Sequence, residues 1–345
     1  MPSEMNLPSC PICAADSVRV ARARLNGYRA GSIFEIRECA SCGVAFAEPR
    51  IDDPELYESI YRDIDSVPGY GRYLSYREVT KTQLNSLDVL AELEESYWAV
   101  RETLRREETR LGRKPRVAEV GCGMGYLTRA ISQAGYECVG LDHSRNAIEA
   151  ASRAFPGQAF FLGDVASASR HFGFEFDVLV ACQVIEHIAE PVNFIRSLAS
   201  GLKKGGALVI TTPRRRHGIP AEAWDTDLPP VHWWWFTEEA LGGCARAAQL
   251  RHETIDLGEF YKHHVFGVPS RKMVATHKKR EAVFGANGAL LDTDQSRYSL
   301  QNTLSRARPR GWIRRQLAGL AMLKAGYLRA RDNDTARDVC MVMRP

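Results

Sequence analysis

Between residues 117 and 213 the chain alternates short apolar runs with amphipathic stretches, and this alternation restricts the fold more than any other feature. VAEVG (117–121), ECVGLD (137–142), AFFLGD (159–164), FDVLVAC (176–182) and ALVITTP (207–213) are nearly continuous apolar runs of strand length. YLTRAISQAG, NAIEAASRAF and PVNFIRSLASGL fall among them with helical spacing. Strands without a polar face are covered on both sides, and strands separated by helices pair in parallel. The expected class is α/β, a doubly wound sheet whose ligands collect beyond the carboxyl ends of its strands.

Composition narrows the setting. A chain of 345 residues with 45% hydrophobic and 26% charged residues has ordinary globular usage and room for one or two domains. Its net charge of +4 is too mild to mark a nucleic-acid binder. No apolar run reaches the roughly 20 residues that span a bilayer. The start MPSEMNLPSC lacks the apolar core of a signal peptide. A cytoplasmic protein without a transmembrane segment is expected.

The cysteines form two populations. Cys10 and Cys13 make CPIC, and Cys39 and Cys42 make CASC followed by Gly43, whereas the remaining cysteines stand singly. Each C-x2-C turn places two thiolates on one side of a knuckle, so two such turns supply the four soft ligands of tetrahedral zinc. A disulfide or redox pair is the alternative. Four protein ligands leave no open coordination position, so zinc here would be structural.

The glycine-rich turn in VAEVGCGMGYLTRA carries the first chemical signal. Gly121, Gly123 and Gly125 follow a strand and open a helix, where backbone can approach a ligand closely. A dinucleotide fingerprint needs a glycine at 126, where Tyr126 stands. Asp142 ends the second strand, 21 positions after Gly121, and suits the ribose hydroxyls of a nicotinamide or an adenosyl group alike. Asp164 ends the third strand, in position to contact a base. Strand-end solvation and helix capping are the plainer alternatives for both acids.

Together EVGCGMG, GLDHS, FLGD, FDVLVACQVIEHIAEP, LKKGGALVITTP and HWWWFTEEAL resemble the ordered motifs of class I S-adenosylmethionine-dependent methyltransferases, over about residues 115–260. The resemblance implies S-adenosylmethionine as cofactor and S-adenosylhomocysteine as product. It implies that loop 121–125 holds the methionine portion, Glu119 supports its amino group, Asp142 binds the ribose, His143 lies on the cofactor side, and Asp164 with Val165 lies at the adenine. It also implies seven strands with the last antiparallel, for which HETIDLGEF (252–260) and DVCMVMR (338–344) are candidates. CPIC, CASCGVAFAEPR and PELYESIY are similar to the amino-terminal part of bacterial small-molecule methyltransferases with a zinc module, sugar C-methyltransferases among them. The implied division is a zinc-binding module over 1–50, a helical connector and active-site cover over 51–114, and a methyltransferase domain over 115–345 with an insertion at 261–337. Sugar C-methyltransferases generally carry a sizeable further carboxy-terminal domain, which the roughly 85 residues beyond 260 do not match. Zinc-bearing RNA methyltransferases usually include a histidine ligand, so a small-molecule acceptor is favoured.

Methyl transfer requires an acceptor lone pair aligned behind the methyl group and, for a hydroxyl or acidic carbon, removal of a proton. His187, in QVIEHIAEP just after the fourth strand, is the first candidate base, with Glu186 to orient it; His232 is the second. The alternative for His187 is a structural histidine at the strand exit. Arg214, with Arg215 and Arg216, offers guanidinium forks to a carboxylate or phosphate, or else forms a solvated charge run. In PPVHWWWFTEEAL, Thr237 is placed to cap a helix and Phe236 to pair with Leu241 as a staple. An extended chain there turns Trp233 and Trp235 one way and His232 and Trp234 the other, so one face is expected to pack and the other to line an acceptor pocket. The segment 261–337, with RGWIRRQLAGLAMLKAGYLRAR, is expected to form a folded cap, a homodimer surface, or a contact for an acidic carrier protein or membrane headgroups. The favoured activity is O-methylation of a small molecule. C-methylation of a sugar or related metabolite, RNA methylation and a noncatalytic zinc-bearing interaction protein remain open.

Overall fold

The computed structural model describes residues 9–50, 53–67, 70–215, 228–263, 282–291, 336 and 338–345. Arg216, the RGWIRRQL stretch and most of the 261–337 insertion lie outside the described residues.

Three antiparallel strands open the chain: β1 (Val18–Asn26), β2 (Ile33–Cys39) and β3 (Ala45–Glu48). Four helices follow, α1 (Pro54–Arg62), α2 (Gly71–Thr82), α3 (Ser86–Leu93) and α4 (Glu95–Leu111). Local chemistry sets their ends. The Asp53 carboxylate accepts from the Leu56 amide and Pro54 sits in the first turn of α1, while Gly112 ends α4 at a φ of 66°.

The alternating core then runs β4 (Arg116–Val120), α5 (Tyr126–Gln133), β5 (Glu137–Asp142), α6 (Arg145–Ala154), β6 (Phe160–Leu162), α7 (Val165–Phe172), β7 (Phe176–Cys182), a 3-10 turn at Ile185–His187, α8 (Pro191–Ser200) and β8 (Leu202–Pro213). The chain closes with β9 (Trp234–Trp235), α9 (Glu238–Ala247), β10 (Arg251–Thr254), α10 (Gly258–His263) and β11 (Asp338–Arg344). The large sheet has seven strands in the order β10-β11-β8-β7-β4-β5-β6. Strands β4 to β8 pair in parallel, and β11 runs antiparallel between β8 and β10. This is the doubly wound sheet with an antiparallel finish expected from the sequence. The penultimate strand is shorter than the 252–260 run, because Gly258 already begins α10. Every residue of β7 from Phe176 to Ala181 is buried, as a strand covered on both faces requires. The strand order reverses at β4, which has β5 on one side and β7 on the other, and this opens a crevice above their carboxyl ends. Among the described residues no helix is long and apolar enough to cross a membrane.

The HWWWF stretch departs from its expected role. Trp234 and Trp235 form β9, which pairs antiparallel with Phe46 and Ala45 and completes a four-stranded amino-terminal sheet, β1-β2-β3-β9. Trp233, Trp234 and Trp235 are 2%, 1% and 5% exposed. Trp233 meets Phe34 edge-on at 5.7 Å, and Trp234 lies against Phe46 at 5.5 Å. The indoles therefore pack the join between the amino-terminal sheet and the large domain, where burying 150–250 Å² per aromatic ring outweighs leaving it at a wetted pocket wall. The staple and cap around them are present: Phe236 and Leu241 are buried, and the Thr237 hydroxyl accepts from the Ala240 amide at 3.1 Å.

Trp234→Ala is expected to destabilise the protein by about 3–5 kcal/mol, measured as a lowered urea midpoint. An unchanged midpoint would show that this indole is not core. Metal analysis should find about one zinc per four-cysteine cluster, and Cys39→Ala should lose it together with a lowered melting temperature.

Candidate active site

The cofactor crevice is built from three strand ends. After β4 the chain turns through Gly121, Gly123 and Gly125 at φ of 73°, 48° and 74°, a left-handed conformation that glycine alone adopts without strain. A Cβ on Gly123 would lie 2.7 Å from the Tyr61 hydroxyl of α1, so this glycine also lets the cover approach. The Asp142 carboxylate at the end of β5 accepts from the Gly123 amide at 2.9 Å and from the Ser144 amide at 2.8 Å. It thereby ties the glycine turn to the start of α6. Burial raises its pKa.

Glu119 lies inside β4, 5% exposed, and its carboxylate accepts from the Thr128 hydroxyl. Burial pushes it up to about 8, and the charge it feels in the crevice is a second carboxylate, Asp142. A buried acid beside a half-buried one fits the positively charged amino group and the hydroxyls of S-adenosylmethionine. Glu119 and the glycine turn would hold its methionine part and Asp142 its ribose.

The third strand end is more exposed. Asp164 caps α7, accepting from the Ser167 amide at 2.7 Å, which holds it below the usual carboxylate range. Val165 is buried, and a Cβ on Gly201 would press within 2.5 Å of its side chain, so it faces the core. His143 is exposed beside Asp142.

Helix α1 closes over this crevice, and sequence reading gave its side chains no site role. Glu58 accepts from the amides of Arg145 at 2.9 Å and Asn146 at 3.2 Å, so a cover residue satisfies the first turn of α6. Tyr57 and Tyr61 sit at i, i+4 on one face of α1. That spacing in PELYESIY is the signal that marks them. Burial and the nearby Asp142 raise the Tyr61 hydroxyl well above its ordinary pKa. It therefore stays protonated as a donor.

The two candidate histidines lie beyond β7. Gln183 adopts a φ of 58°, uncommon for a residue with a side chain, and swings the chain into the 3-10 turn bearing Glu186 and His187. His187 Nδ1 lies 2.5 Å from the Val231 carbonyl, which can only accept, so Nδ1 carries the proton and Nε2 keeps its lone pair. The Tyr57 hydroxyl donates to the same carbonyl at 3.1 Å. The His187 and His232 rings stand 4.7 Å apart at 75°. Burial lowers His187 to about 4 and His232 well below its ordinary value, so both are neutral near neutral pH. Glu186, 1% exposed, accepts from the Thr212 hydroxyl at 2.9 Å and is pushed up to about 8 by burial.

Thus the structure brings His187 and His232 together. It directs Arg214 elsewhere: its guanidinium pairs with Glu238 at 3.1 Å. Arg215 pairs with Glu38 and donates to the Gly43 carbonyl, so this arginine joins the cysteine knuckle to the large domain.

At that knuckle, the sulfurs of Cys10 and Cys42 are 3.8 Å apart and those of Cys13 and Cys39 are 3.6 Å apart, with all four within 4.8 Å of one another. Tetrahedral zinc with bonds of about 2.3 Å sets its sulfurs about 3.8 Å apart, whereas a disulfide needs about 2.05 Å. The cluster fits zinc.

Residues 92–255 match the methyltransferase domain family. Over 105 residues the chain is 33% identical to a ubiquinone biosynthesis O-methyltransferase of Ralstonia nicotianae, covering 29% of this chain and 44% of that protein. Over 142 residues it is 30% identical to a probable S-adenosylmethionine-dependent methyltransferase of Mycolicibacterium smegmatis, covering 40% and 53%. The matched stretches span about half the length of these curated relatives. A crystal structure of a SAM-dependent methyltransferase from Archaeoglobus fulgidus aligns with a TM-score of 0.40 and 14% identity, over 71% of this chain and 93% of that one. The strand order, glycine turn and family match define a class I S-adenosylmethionine-dependent methyltransferase fold. It is joined here to an amino-terminal four-cysteine cluster capable of coordinating a metal.

The raised Glu119 makes a signed prediction. The cofactor-free folded protein holds a proton that the unfolded chain releases near 4.5, so its contribution to stability is full below 4.5 and is lost as pH rises toward about 8. Glu119→Gln should therefore melt higher than the parent at pH 8, by a margin that shrinks toward pH 5, while binding S-adenosylhomocysteine more weakly in calorimetry. A pH-independent difference in melting would refute the raised carboxyl.

Proposed function

We propose that this protein transfers a methyl group from S-adenosylmethionine to a hydroxyl oxygen of a small molecule in a biosynthetic pathway. The observation that carries the reading is the paired site. A crevice with a buried and a half-buried acid at a glycine turn lies on one side of β4, and two neutral histidines sit beyond β7, the neighbouring strand. The bound cofactor supplies an activated sulfonium methyl. Glu119 and Asp142 hold it, Tyr61 and α1 exclude water above it, and His187 and His232 activate the acceptor. A neutral imidazole whose other nitrogen is fixed on a carbonyl is oriented for that task. The oxygen assignment is supported by the Ralstonia nicotianae relative, named as an O-methyltransferase.

The test is a screen of small-molecule acceptors with methyl-labelled S-adenosylmethionine, followed by identification of the methylated atom. Labelled oxygen is the expected outcome; label on carbon or RNA, or no turnover with any acceptor, would refute the reading. Asp142→Asn should weaken S-adenosylhomocysteine binding at least about tenfold, as loss of a charged hydrogen-bond acceptor does. Unchanged affinity would remove Asp142 from the cofactor contacts.

A further inference from the structure

Beyond β7, Glu186, His187 and His232 bring one carboxylate and two imidazoles together, with ligand atoms all within 4.8 Å of one another. We propose that these three side chains bind a divalent transition-metal ion whose open coordination positions take the acceptor's oxygen. The inference rests on the methyl-transfer reading and adds how the acceptor is activated.

The donor set comes first. Two imidazoles with a carboxylate suit zinc, iron, cobalt or manganese, and three protein ligands leave positions open, unlike the closed four-cysteine cluster. Orientation comes second. The Val231 carbonyl takes the Nδ1 proton of His187 and leaves the Nε2 lone pair, which lies 3.8 Å from Glu186 Oε1. A metal-binding histidine is oriented in this way, by a carbonyl on its other nitrogen. The Thr212 hydroxyl occupies Glu186 Oε2 and steadies the carboxylate. Metal bonds of about 2.0–2.2 Å place neighbouring ligand atoms roughly 3 Å apart, a contraction that side-chain rotation supplies.

The three ligands come from two backbone segments that are tied to each other. Glu186 and His187 sit on the 3-10 turn, while His232 precedes a strand whose Trp233 amide donates to the Glu186 carbonyl at 2.8 Å. Arg72 of α2 is the cation whose field reaches both Glu186 and His232. Its charge opposes a second cation, so this ion is held less tightly than one among four thiolates.

The chemistry needs no oxidant or reductant. With the acceptor hydroxyl on the ion, the O–H proton leaves to water. The oxygen lone pair forms the O–CH3 bond as the S–CH3 bond breaks, and that bond's electron pair stays on sulfur as S-adenosylhomocysteine is released. A divalent Lewis acid acts here by lowering the hydroxyl pKa.

The experiment uses the full chain, dialysed against EDTA until one zinc per chain remains and then titrated with cobalt(II). We expect one further cobalt per chain, with absorption of nitrogen and oxygen ligation and no thiolate charge-transfer band. Glu186→Gln and His232→Ala should each weaken that binding at least about tenfold while S-adenosylhomocysteine affinity is kept. Glu186→Gln preserves shape, so it decides the matter if His232→Ala misfolds. No second cobalt in the parent, or unchanged affinity in Glu186→Gln, overturns the site. Methyl transfer at full rate with one zinc and no cobalt overturns its role in activation. Cobalt bound without transfer to any acceptor would leave the site standing and refute the methyl-transfer reading instead.

Discussion

The amide of Trp233 donates to the carbonyl of Glu186, and the next two residues pair with β3; this short run of backbone is what the placement of Glu186, His187 and His232 depends on. One edge of the run belongs to the amino-terminal sheet and the other to the turn that carries Glu186 and His187. The Trp233 carbonyl takes the Ala47 amide at 2.9 Å, and the Trp234 indole donates to the Ile188 carbonyl at 2.8 Å. Thr237 extends the link, because its hydroxyl caps α9 and also bonds the Cys42 carbonyl at 2.6 Å. The cysteine cluster is remote in sequence from the histidines, yet it reaches them through a few hydrogen bonds and a layer of packed indoles. A structural metal can in this way position a site without touching it.

The cofactor side follows a different rule. Its groups are held ready by tension between burial and charge. Glu119 is buried, with no cation acting on it among the described residues, and Asp142 is steadied by two amides against the same penalty. A cationic ligand relieves both, so affinity and charge complementarity have one physical origin. The cover adds geometry: Tyr61 fills the space that a side chain on residue 123 would need, and Glu58 anchors α1 to the first turn of α6. The glycine turn therefore serves the cover as well as the ligand.

Most of the large sheet was legible because its strands are uniformly apolar and its turns use glycine where φ is positive. The place of Asp142 at a strand end beside the glycine turn was legible for the same reason. The tryptophans were not. Period-two alternation tells which side chains share a face, but it does not tell whether both faces are buried, and here pairing with a strand from a distant part of the chain sets the tryptophans into a sheet where all three are buried. The Glu238 partner of Arg214 was not legible, because an arginine run reads the same whether its partners are solvent, ligand or a carboxylate. The α1 tyrosines went unassigned because a helix that covers a site and a helix that covers a core have the same periodicity. The convergence of Glu186, His187 and His232 had no local signature, since His232 stands 45 residues beyond His187 and meets it only through the fold.

The pairing of Ala45 with Trp235 spans about 190 residues of chain. During synthesis β3 leaves the ribosome as an unpaired sheet edge carrying Phe46, and it keeps that edge open until nearly all of the parallel sheet has been made. Closing so long a loop has a large entropic cost that is recovered only when the indoles dock, which places completion of the amino-terminal sheet late in folding. An open edge beside an aromatic side chain is a template for pairing with other chains. Solubility of the nascent protein therefore depends on a segment that is still inside the ribosome when the cysteine knuckles are already outside.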